Sequence, residues 1–421
     1  MFVSVLSVTA AEVFTYIGYI LVALIALMIM IVIHELGHYT AGKLLGFKID
    51  EFAIGFGPAI FKRTNKKNGE VFSIRPFPIG GFCAFHGEDE DGKEDPQAFN
   101  NQKAWKRLIV LFAGAFMNFL SAIFIITIYF SAYGQILPVV VDAHDTASYQ
   151  NVFESGDVIL NINGKQVNIM MEEDLDNAFS GIGDSAKFKV LRNGKRISIN
   201  TSKFWYDPFE SGDFIYSING TKLDVAIPYS ELSRHELAQT DEQIQLLVVT
   251  YDENGQINSQ SNVTVSRKTE DGQSGYFSYG FGITRSIARA KLPFFLAFGR
   301  SFGFCFFIVF KILASLGALI TGKIGVESAG GTITTIGTIA KVSAAGFDSF
   351  LYVVAIISAN LAVMNLLPLP ALDGSRMVFT LIEMIFRKPV PRKVEAVIHT
   401  VGLILLIVLA VFLDIFHLVK T

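Results

Sequence analysis

The chain has 421 residues, of which 51% are hydrophobic and 17% charged, with a mean hydropathy of +0.44 and a net charge of −3. This composition excludes a disordered chain and argues against a wholly soluble one. The charge balance gives no indication of nucleic-acid binding. Two cysteines, Cys83 and Cys305, cannot form a disulfide framework. The sequence is therefore typical of a membrane protein.

Four runs free of Asp, Glu, Lys and Arg are long enough to cross a bilayer, which takes about 20 apolar residues in a helix. They are residues 13–33, 108–134, 349–372 and 396–413. The first run is not expected to be a cleaved signal peptide, because no Lys or Arg precedes Lys43. We therefore predict four transmembrane helices.

Lysine and arginine residues are concentrated in two loops, 43–107 and 387–393. The positive-inside rule places both loops in the cytoplasm, so the polar insert between the second and third helices lies outside. The segment 292–320 is apolar but contains Arg300 and Lys311. If this segment crossed the membrane, the second basic loop would lie outside. We therefore predict that it is an amphipathic helix at the outer interface.

The insert contains an internal repeat. A Gly-Asp pair followed by an Ile-Asn-Gly turn occurs at 156–164 and again 56 residues later at 212–220. A short acidic stretch and a predicted β-hairpin follow each time. This pattern resembles PDZ domains, which bind peptides by strand addition. We predict two small PDZ-like domains, and an unrelated pair of β-rich units is the alternative.

A His-Glu-x-x-His motif, His34-Glu35-x-x-His38, lies at the inner end of the first run. Positions i and i+4 share a face of a helix, so both imidazoles can bind one metal ion. Glu35 lies to one side, where its carboxylate can accept a proton from water. Three ionisable side chains within five residues of a membrane helix are costly and indicate a functional site. The alternative is that these histidines bind nothing.

A catalytic zinc ion usually has three protein ligands, and the third must come from another helix. Asp373 is the only acidic residue in the third run and its immediate end, within the sequence Asn-Leu-Leu-Pro-Leu-Pro-Ala-Leu-Asp-Gly at 365–374. Two prolines would break a helix there, and irregular backbone at membrane depth is tolerated around a cavity or inside protein. The first and third helices run in the same direction, which brings Asp373 to the depth of His34 and His38. The alternative is that Asp373 caps the helix end.

Together these motifs resemble the site-2 protease family of zinc intramembrane metalloproteases, close to its bacterial sigma-E-regulating members. The resemblance covers nearly the whole chain. It implies that His34, His38 and Asp373 bind a Zn²⁺ cofactor and that Glu35 is the catalytic carboxylate.

The resemblance also implies contacts with the substrate. Asn360 and Asn365 are expected to hold the substrate backbone near the metal. A membrane-associated β-hairpin over 70–85, which contains Gly80 and Gly81, would offer its edge to an unwound substrate segment. A plain surface hairpin is the alternative.

We predict a zinc metalloendopeptidase that cleaves single-pass transmembrane proteins, with the lipid bilayer as its other partner and no nucleic acid. The resemblance alone implies anti-sigma factors or remnant signal peptides as substrates. A membrane metal transporter is one alternative, but it would need polar residues along several helices. A non-catalytic PDZ scaffold is another, but it would not need Glu35. The insert lies on the opposite side of the membrane from the metal motifs and is expected to filter substrates by size.

The predicted fold is a polytopic α-helical membrane protein with an extracytoplasmic tandem of small α/β PDZ-like domains, in the bacterial inner membrane with the active site toward the cytoplasm. Its predicted segments are the first transmembrane helix with the zinc motif (1–46), a cytoplasmic loop with the hairpin (47–103), the second transmembrane helix (104–135), the first PDZ-like domain (136–203), the second PDZ-like domain (204–290), an interfacial helical region (291–347), the third transmembrane helix with the Asn-x-x-Pro-x-Pro-x-Leu-Asp-Gly motif (348–386) and the fourth transmembrane helix (394–421).

Overall fold

The computed structural model describes residues 10–88, 95–146, 148–209, 212–235, 243–252, 256–270, 273–325 and 330–420. The chain divides into two compact units. The first comprises Met1–Ala132 and Phe294–Thr421, and the second is Tyr133–Pro293. The second unit corresponds to the predicted insert.

The first unit consists mainly of helices. Large apolar side chains such as Leu21, Ile25 and Phe124 are exposed on them. Such exposure is unfavourable in water, whereas lipid tails would cover it. The helices are α1 (Ala10–Leu44), α2 (Ala104–Ala132), α4 (Phe294–Ile320), α5 (Thr332–Ala345), α6 (Phe347–Leu366), α7 (Asp373–Phe386) and α8 (Arg392–Lys420), and α3 (Glu172–Phe179) belongs to the second unit.

Five helices among the described residues are long and apolar enough to cross a membrane, which fits a polytopic membrane protein. Four of them coincide with the predicted transmembrane helices. The fifth, α4, is the segment predicted to lie at the interface. The count of four crossings therefore depends on loop charges alone and stays a prediction. The five segments are Ile17–Leu44, Ala104–Ala132, Phe294–Ile320, Phe347–Leu366 and Lys393–Phe416.

Helix α4 packs along α2. Thr127 and Ser301 form a buried hydrogen bond of 2.9 Å between their hydroxyls, and the rings of Phe119 and Phe306 lie 5.3 Å apart. Arg300 is only 4% exposed. An interfacial helix keeps its charges on one polar face. The charge of Arg300 instead lies inside the protein, which the sequence pattern did not indicate.

The predicted third transmembrane helix, 348–386, is two helices in the structure, α6 and α7. Residues 367–372 between them are not helical. Pro368 and Pro370 have no amide hydrogen for the helical ladder. Ala371 has a left-handed φ of 71°. The chain therefore turns sharply before Asp373.

The loop between α1 and α2 forms a four-stranded sheet of β1 (Ile49–Phe56), β2 (Phe61–Thr64), β3 (Val71–Ile74) and β4 (Phe77–Phe85), in the order β2-β3-β1-β4. The predicted pairing of 70–74 with 82–85 is wrong, because β3 and β4 pair with opposite edges of β1. The chain passes from β3 to β4 around the end of β1 at Arg75. A Cβ at Gly55 would lie 2.7 Å from the carbonyl oxygen of Arg75, so a glycine is needed for this crossing. Pro78 lies inside β4, and an edge strand tolerates proline.

Ion pairs tie this sheet together. Lys43 at the end of α1 pairs with Glu70 next to β3. His86, directly after β4, has Nδ1 2.9 Å from an oxygen of Asp50 and Nε2 2.8 Å from an oxygen of Asp95. Both ring nitrogens can donate only when the imidazole is protonated. These hydrogen bonds, first to Asp50 and then to Asp95, raise the pKa of His86 above 6.5.

An acidic residue within α8 has a structural explanation. Asp414 is buried and accepts hydrogen bonds of 3.0 and 2.9 Å from the amides of Ile333 and Thr334, at the start of α5. A carboxylate satisfies free amides at a helix N-terminus and interacts favourably with the helix dipole. A Cβ at Gly331 would lie 2.5 Å from Asp414 Cγ. Asp414 therefore holds the first turn of α5 against α8.

The described residues of the second unit form two six-stranded sheets. The last strand, Ile283–Ala290, pairs with the first, Gln135–Ala143. The predicted second domain, 204–290, therefore gives its final strand to the first sheet. This pairing brings the two ends of the unit side by side, as an inserted domain requires. The strands are β5 (Gln135–Ala143), β6 (Val158–Ile162), β7 (Lys165–Gln166), β8 (Ser185–Arg192), β9 (Lys195–Ser202) and β16 (Ile283–Ala290) in one sheet, and β10 (Phe204–Tyr206), β11 (Phe214–Ile218), β12 (Thr221–Pro228), β13 (Gln243–Tyr251), β14 (Ile257–Glu270) and β15 (Gln273–Gly280) in the other.

The internal repeat has a structural counterpart. Asn163 and Asn219 both have a left-handed φ, of 48° and 49°. Each side chain accepts a 2.8 Å hydrogen bond from the amide of a neighbouring strand, that of Lys187 or Gln245. Each backbone N–H also donates to the carbonyl of that same residue. The two turns are therefore equivalent, while the likeness of the whole unit to PDZ domains stays a prediction.

Candidate active site

Three side chains from two distant parts of the sequence meet in the first unit. His34 Nε2 lies 3.0 Å from Asp373 Oδ2 and 3.0 Å from His38 Nε2. His38 Nε2 lies 3.2 Å from the same carboxylate oxygen. Both imidazoles are buried. Among the residues that the structure describes, no other group of His, Cys, Asp and Glu side chains is placed to share a metal ion.

This donor set fits Zn²⁺. Zinc is held by imidazole nitrogens and carboxylate oxygens at about 2.0–2.2 Å in a tetrahedron, so neighbouring ligand atoms lie roughly 3.3–3.6 Å apart. The separations of 3.0, 3.0 and 3.2 Å are slightly shorter than that value. Three protein ligands leave a fourth position for water or substrate, as in catalytic sites.

Helix α2 borders the histidines. The carbonyl oxygen of Val110 accepts a 2.8 Å hydrogen bond from His38 Nδ1, which leaves Nε2 with a free lone pair. A Cβ at Gly114 would lie 2.4 Å from His38 Nε2 and 2.7 Å from His34 Cε1. A Cβ at Gly37 would lie 2.3 Å from a backbone oxygen of α2. These two glycines therefore allow α1 and α2 to approach closely at the level of the site.

The carboxylate of Glu35 connects the histidines to the sheet. The amide of Cys83 in β4 donates a 3.0 Å hydrogen bond to Glu35 Oε2. A cavity of about 410 Å³ contains this carboxylate together with the three candidate ligands. Its lining is His34, Glu35, His38, Phe82, Cys83, Ala84, Phe85, Glu88, Phe99, Val110, Leu111, Asp373 and Arg376.

Strand β4 passes the site as the edge strand of its sheet. One side of it pairs with β1, and the other side faces Glu35 through the amide of Cys83. A Cβ at Gly81 would lie 2.8 Å from a backbone oxygen of β1 and 3.7 Å from Glu35 Cγ. A Cβ at Gly80 would lie 2.0 Å from the ring of Phe56. Packing accounts for both glycines, and only Gly81 is adjacent to Glu35.

The segment that precedes α7 folds back around the start of that helix. A Cβ at Gly374 would lie 2.2 Å from the carbonyl oxygen of Leu367, so only glycine fits directly after Asp373. The hydroxyl of Ser375 donates to the carbonyl oxygen of Leu372 at 2.8 Å. These contacts fix the first turn of α7, and with it the direction of the Asp373 carboxylate.

Helix α8 supports the same segment. The amide of Ala371 donates a 3.1 Å hydrogen bond to His399 Nδ1. One turn further along α8, a Cβ at Gly402 would lie 1.9 Å from Pro370 Cβ. The fourth predicted helix therefore sets the position of Asp373 without contributing to the candidate ligand set.

Comparison with known proteins decides the family. The model of Peptidase family M50 matches residues 22–409. The chain belongs to this family, the site-2 proteases. A protein of Clostridium perfringens named as a candidate zinc metalloprotease is 29% identical over 400 residues, covering 94% of this chain and 97% of its own. A relative named in the same way from Clostridium acetobutylicum is 28% identical, covering 94% of this chain and 96% of its own. Another from Vibrio cholerae is 27% identical, covering 90% of this chain and 93% of its own. The chain is a bacterial membrane zinc metalloprotease with Zn²⁺ as its cofactor.

In this M50 peptidase the two asparagines of α6 differ in position. The side-chain amide of Asn365 lies 3.4 Å from His34 Nδ1, beside the candidate ligands. Asn360 is partly buried, and its side chain makes no hydrogen bond to any described residue. It does not line the cavity. Their substrate-binding roles stay predictions.

Sequence reasoning missed several residues of the site, because their importance comes from packing. Gly114, His399, Gly402 and Arg376 belong to this group. Asn118, one turn beyond Gly114, is 1% exposed, and its side-chain amide has no hydrogen-bond partner among the described residues. A signal was available, since a polar side chain four residues after a glycine in an apolar run lies on the same helix face.

Proposed function

We propose that this metalloprotease is an intramembrane endopeptidase that cleaves single-pass transmembrane proteins within or beside their transmembrane helix. The observation that carries the proposal is that the buried imidazoles of His34 and His38 meet the carboxylate of Asp373 beside Glu35. His34, Glu35 and His38 lie on α1, a helix long and apolar enough to span a bilayer. A site on a membrane-spanning helix is accessible to a membrane-embedded substrate more readily than to a soluble one.

In this proposal the Nε2 atoms of His34 and His38 and the carboxylate of Asp373 hold the metal. When bound, Zn²⁺ supplies Lewis acidity that makes water a better nucleophile and polarises the scissile carbonyl. The carbonyl of Val110 keeps the proton of His38 on Nδ1. The segment before α7, held by His399 and Gly402, presents Asp373.

Glu35 acts as the general base and then as the general acid. Its carboxylate accepts the proton of the attacking water and passes it to the leaving amine. The oxygen of that water forms the new bond to the carbonyl carbon, and the peptide C–N bond breaks. The amide of Cys83 donates to Glu35 Oε2 and so restrains the carboxylate beside the histidines.

The substrate must be extended at the scissile bond, because a helix hides its peptide groups in internal hydrogen bonds. We place the unwound segment along the edge of β4 that pairs with no described strand, by strand addition. Gly81 of β4 lies next to Glu35, and Asn365 lies beside His34. Anti-sigma factors and remnant signal peptides remain the substrate classes that the family resemblance implies.

We propose the orientation from charge. The basic loops 43–107 and 387–393 lie in the cytoplasm of a bacterial cell, with the metal site toward that side and the insert outside. The insert then filters substrates by the size of their outer portion. A reporter fused after Thr421 should be extracytoplasmic if there are four crossings. A cytoplasmic reporter would mean that α4 crosses as well.

The test of the enzymatic proposal is cleavage of a model single-pass protein by the purified full chain, with and without a zinc chelator. Glu35→Gln should keep its zinc, measured by atomic absorption, but should lose cleavage, because an amide cannot accept the proton. Glu173→Gln, an equivalent change on α3 of the insert, should behave like the unmodified enzyme. Normal turnover by Glu35→Gln, or turnover that persists in the chelator, would contradict the proposal.

A further inference from the structure

The cavity that holds the candidate metal ligands has a cationic group in its wall. Arg376 lies one turn after Asp373 on α7, and residues at i and i+3 share a helix face. Among the described residues lining the cavity, Arg376 is the only lysine or arginine. Neither the sequence motifs nor the proposed mechanism gives this guanidinium a role.

Glu88 holds the guanidinium in place. Arg376 Nη1 donates to Glu88 Oε1, and the other carboxylate oxygen of Glu88 accepts a 3.3 Å hydrogen bond from the amide of Phe85. An arginine has five N–H donors in a rigid planar arrangement. The remaining donors of Arg376 have no hydrogen-bond partner in the part of the chain that the structure describes. The side chain is 35% exposed, so these donors remain accessible.

Peptide hydrolysis develops negative charge in this cavity. When water attacks, the electron pair of the carbonyl double bond moves onto the carbonyl oxygen. After the C–N bond breaks, the same oxygen belongs to the new carboxylate. An oriented cation in a site partly shielded from water stabilises such charge more effectively than bulk water does, because it needs no reorganisation.

We infer that Arg376 is a catalytic residue that stabilises the scissile carbonyl oxygen as it becomes negative and then binds the product carboxylate. Glu88 is a positioning residue, which fixes the guanidinium through β4. The inference rests on the proposed function. A purely structural alternative exists, in which the Glu88–Arg376 ion pair only ties the end of β4 to α7.

A second ion pair provides the matched control. Arg107 on α2 pairs with Glu383, also on α7, and neither residue lines the cavity. Exchanging the charges within each pair separates the two roles. Arg107→Glu with Glu383→Arg keeps an ion pair between helices, and we expect cleavage close to that of the unmodified enzyme. Arg376→Glu with Glu88→Arg also keeps an ion pair but removes the cation from α7.

The first measurement is kcat and KM for the model single-pass substrate. Arg376→Gln should lower kcat by about 100- to 1000-fold, the usual cost of removing one oxyanion donor, with little change in KM and with zinc content retained. Arg376→Lys should recover part of the loss, because it restores the charge but not the planar fork. The exchanged Glu88–Arg376 pair should stay inactive. Recovery of kcat by that exchange, which leaves a guanidinium at position 88 in the cavity lining, would show that a cation on α7 is not required and would overturn the role assigned to Arg376.

The second measurement does not require turnover. In the full chain carrying Glu35→Gln, an acetylated leucine tripeptide should bind more tightly as the free acid than as the amide. Adding Arg376→Gln should reduce that preference by about tenfold or more, the usual contribution of a charge-assisted hydrogen bond. An unchanged preference would contradict the role of Arg376. The unmodified enzyme could fail to cleave the model substrate while the preference for the free acid still depends on Arg376. In that case the proposed function is wrong, but the assignment of Arg376 as a carboxylate-binding residue holds.

Discussion

Replacing Gly114 with alanine tests whether the two imidazoles need the space that α2 leaves for them. The new Cβ would lie 2.4 Å from His38 Nε2 and 2.7 Å from His34 Cε1. Favourable contacts between such atoms begin near 3.5 Å. The methyl group must therefore push the rings or the helices apart by about 1 Å. Zinc sites require ligand distances within about 0.2 Å of their ideal values.

We expect Gly114→Ala to weaken zinc binding by at least the 10- to 100-fold that follows loss of a group supporting a ligand. Cleavage should fall with zinc occupancy. Alanine favours a helix by up to about 1 kcal/mol over glycine, which offsets part of the about 1–3 kcal/mol that overpacking costs, so folding stability is measured separately from zinc affinity. Zinc affinity is measured by competition with a chelator of known affinity, and cleavage with the model substrate.

Gly299→Ala on α4 is the matched control. It is the same substitution in another apolar helix, and a Cβ there has no atom within 4 Å. We expect zinc affinity and cleavage to match those of the unmodified enzyme. The reasoning is refuted if Gly114→Ala also binds zinc and cleaves normally, since α1 and α2 would then not be in close contact at the site.

Three further changes test the surroundings of the site. Gly402→Ala places a Cβ 1.9 Å from Pro370 Cβ. It should lower zinc affinity, because it displaces the segment before α7. An unchanged affinity in chelator competition would show that α8 does not determine the position of this segment. His86→Ala should lower the melting temperature most below pH 6.5. The pKa of His86 is higher in the folded than in the unfolded protein, so its protonated imidazole stabilises the fold fully below the unfolded-state pKa. This stabilisation is lost as the pH rises through the folded-state pKa. A pH-independent difference in thermal scans would contradict that assignment. Asn118→Leu should raise the melting temperature, because it removes a buried side-chain amide that has no hydrogen-bond partner among the described residues and that costs about 1–3 kcal/mol. A lower melting temperature would contradict that reasoning.

The motifs of the site could be predicted from the sequence, because each depends on local geometry. His34 and His38 share a helix face at any depth, since their spacing of four residues is close to one helical turn. The two prolines before Asp373 break a helix in any surroundings. The predicted count of crossings makes the first and third helices run in the same direction, which places the two motifs at the same depth. The structure places their ligand atoms about 3 Å apart.

The sheet between α1 and α2 could not be predicted in the same way. Local patterns indicated strands at 70–74 and 82–85 and suggested that they pair with each other. Strand β1, some 20 residues earlier in the sequence, lies between them instead. Strand order is decided by which apolar faces and edges are satisfied in the whole sheet, and no short stretch of sequence carries that information. The return of Ile283–Ala290 to the first sheet of the insert is a second case.

The sequence by itself determined that the chain is a membrane protein and which residues are candidates to bind zinc, because hydropathy and helical spacing are properties of contiguous residues. Only the tertiary structure decided how closely the helices approach and which groups complete the site. Gly114, Gly402, His399 and Arg376 owe their importance to atoms of other helices and strands. Such contacts between segments far apart in the chain leave no periodic pattern in the sequence, so they become visible only once the chain is folded.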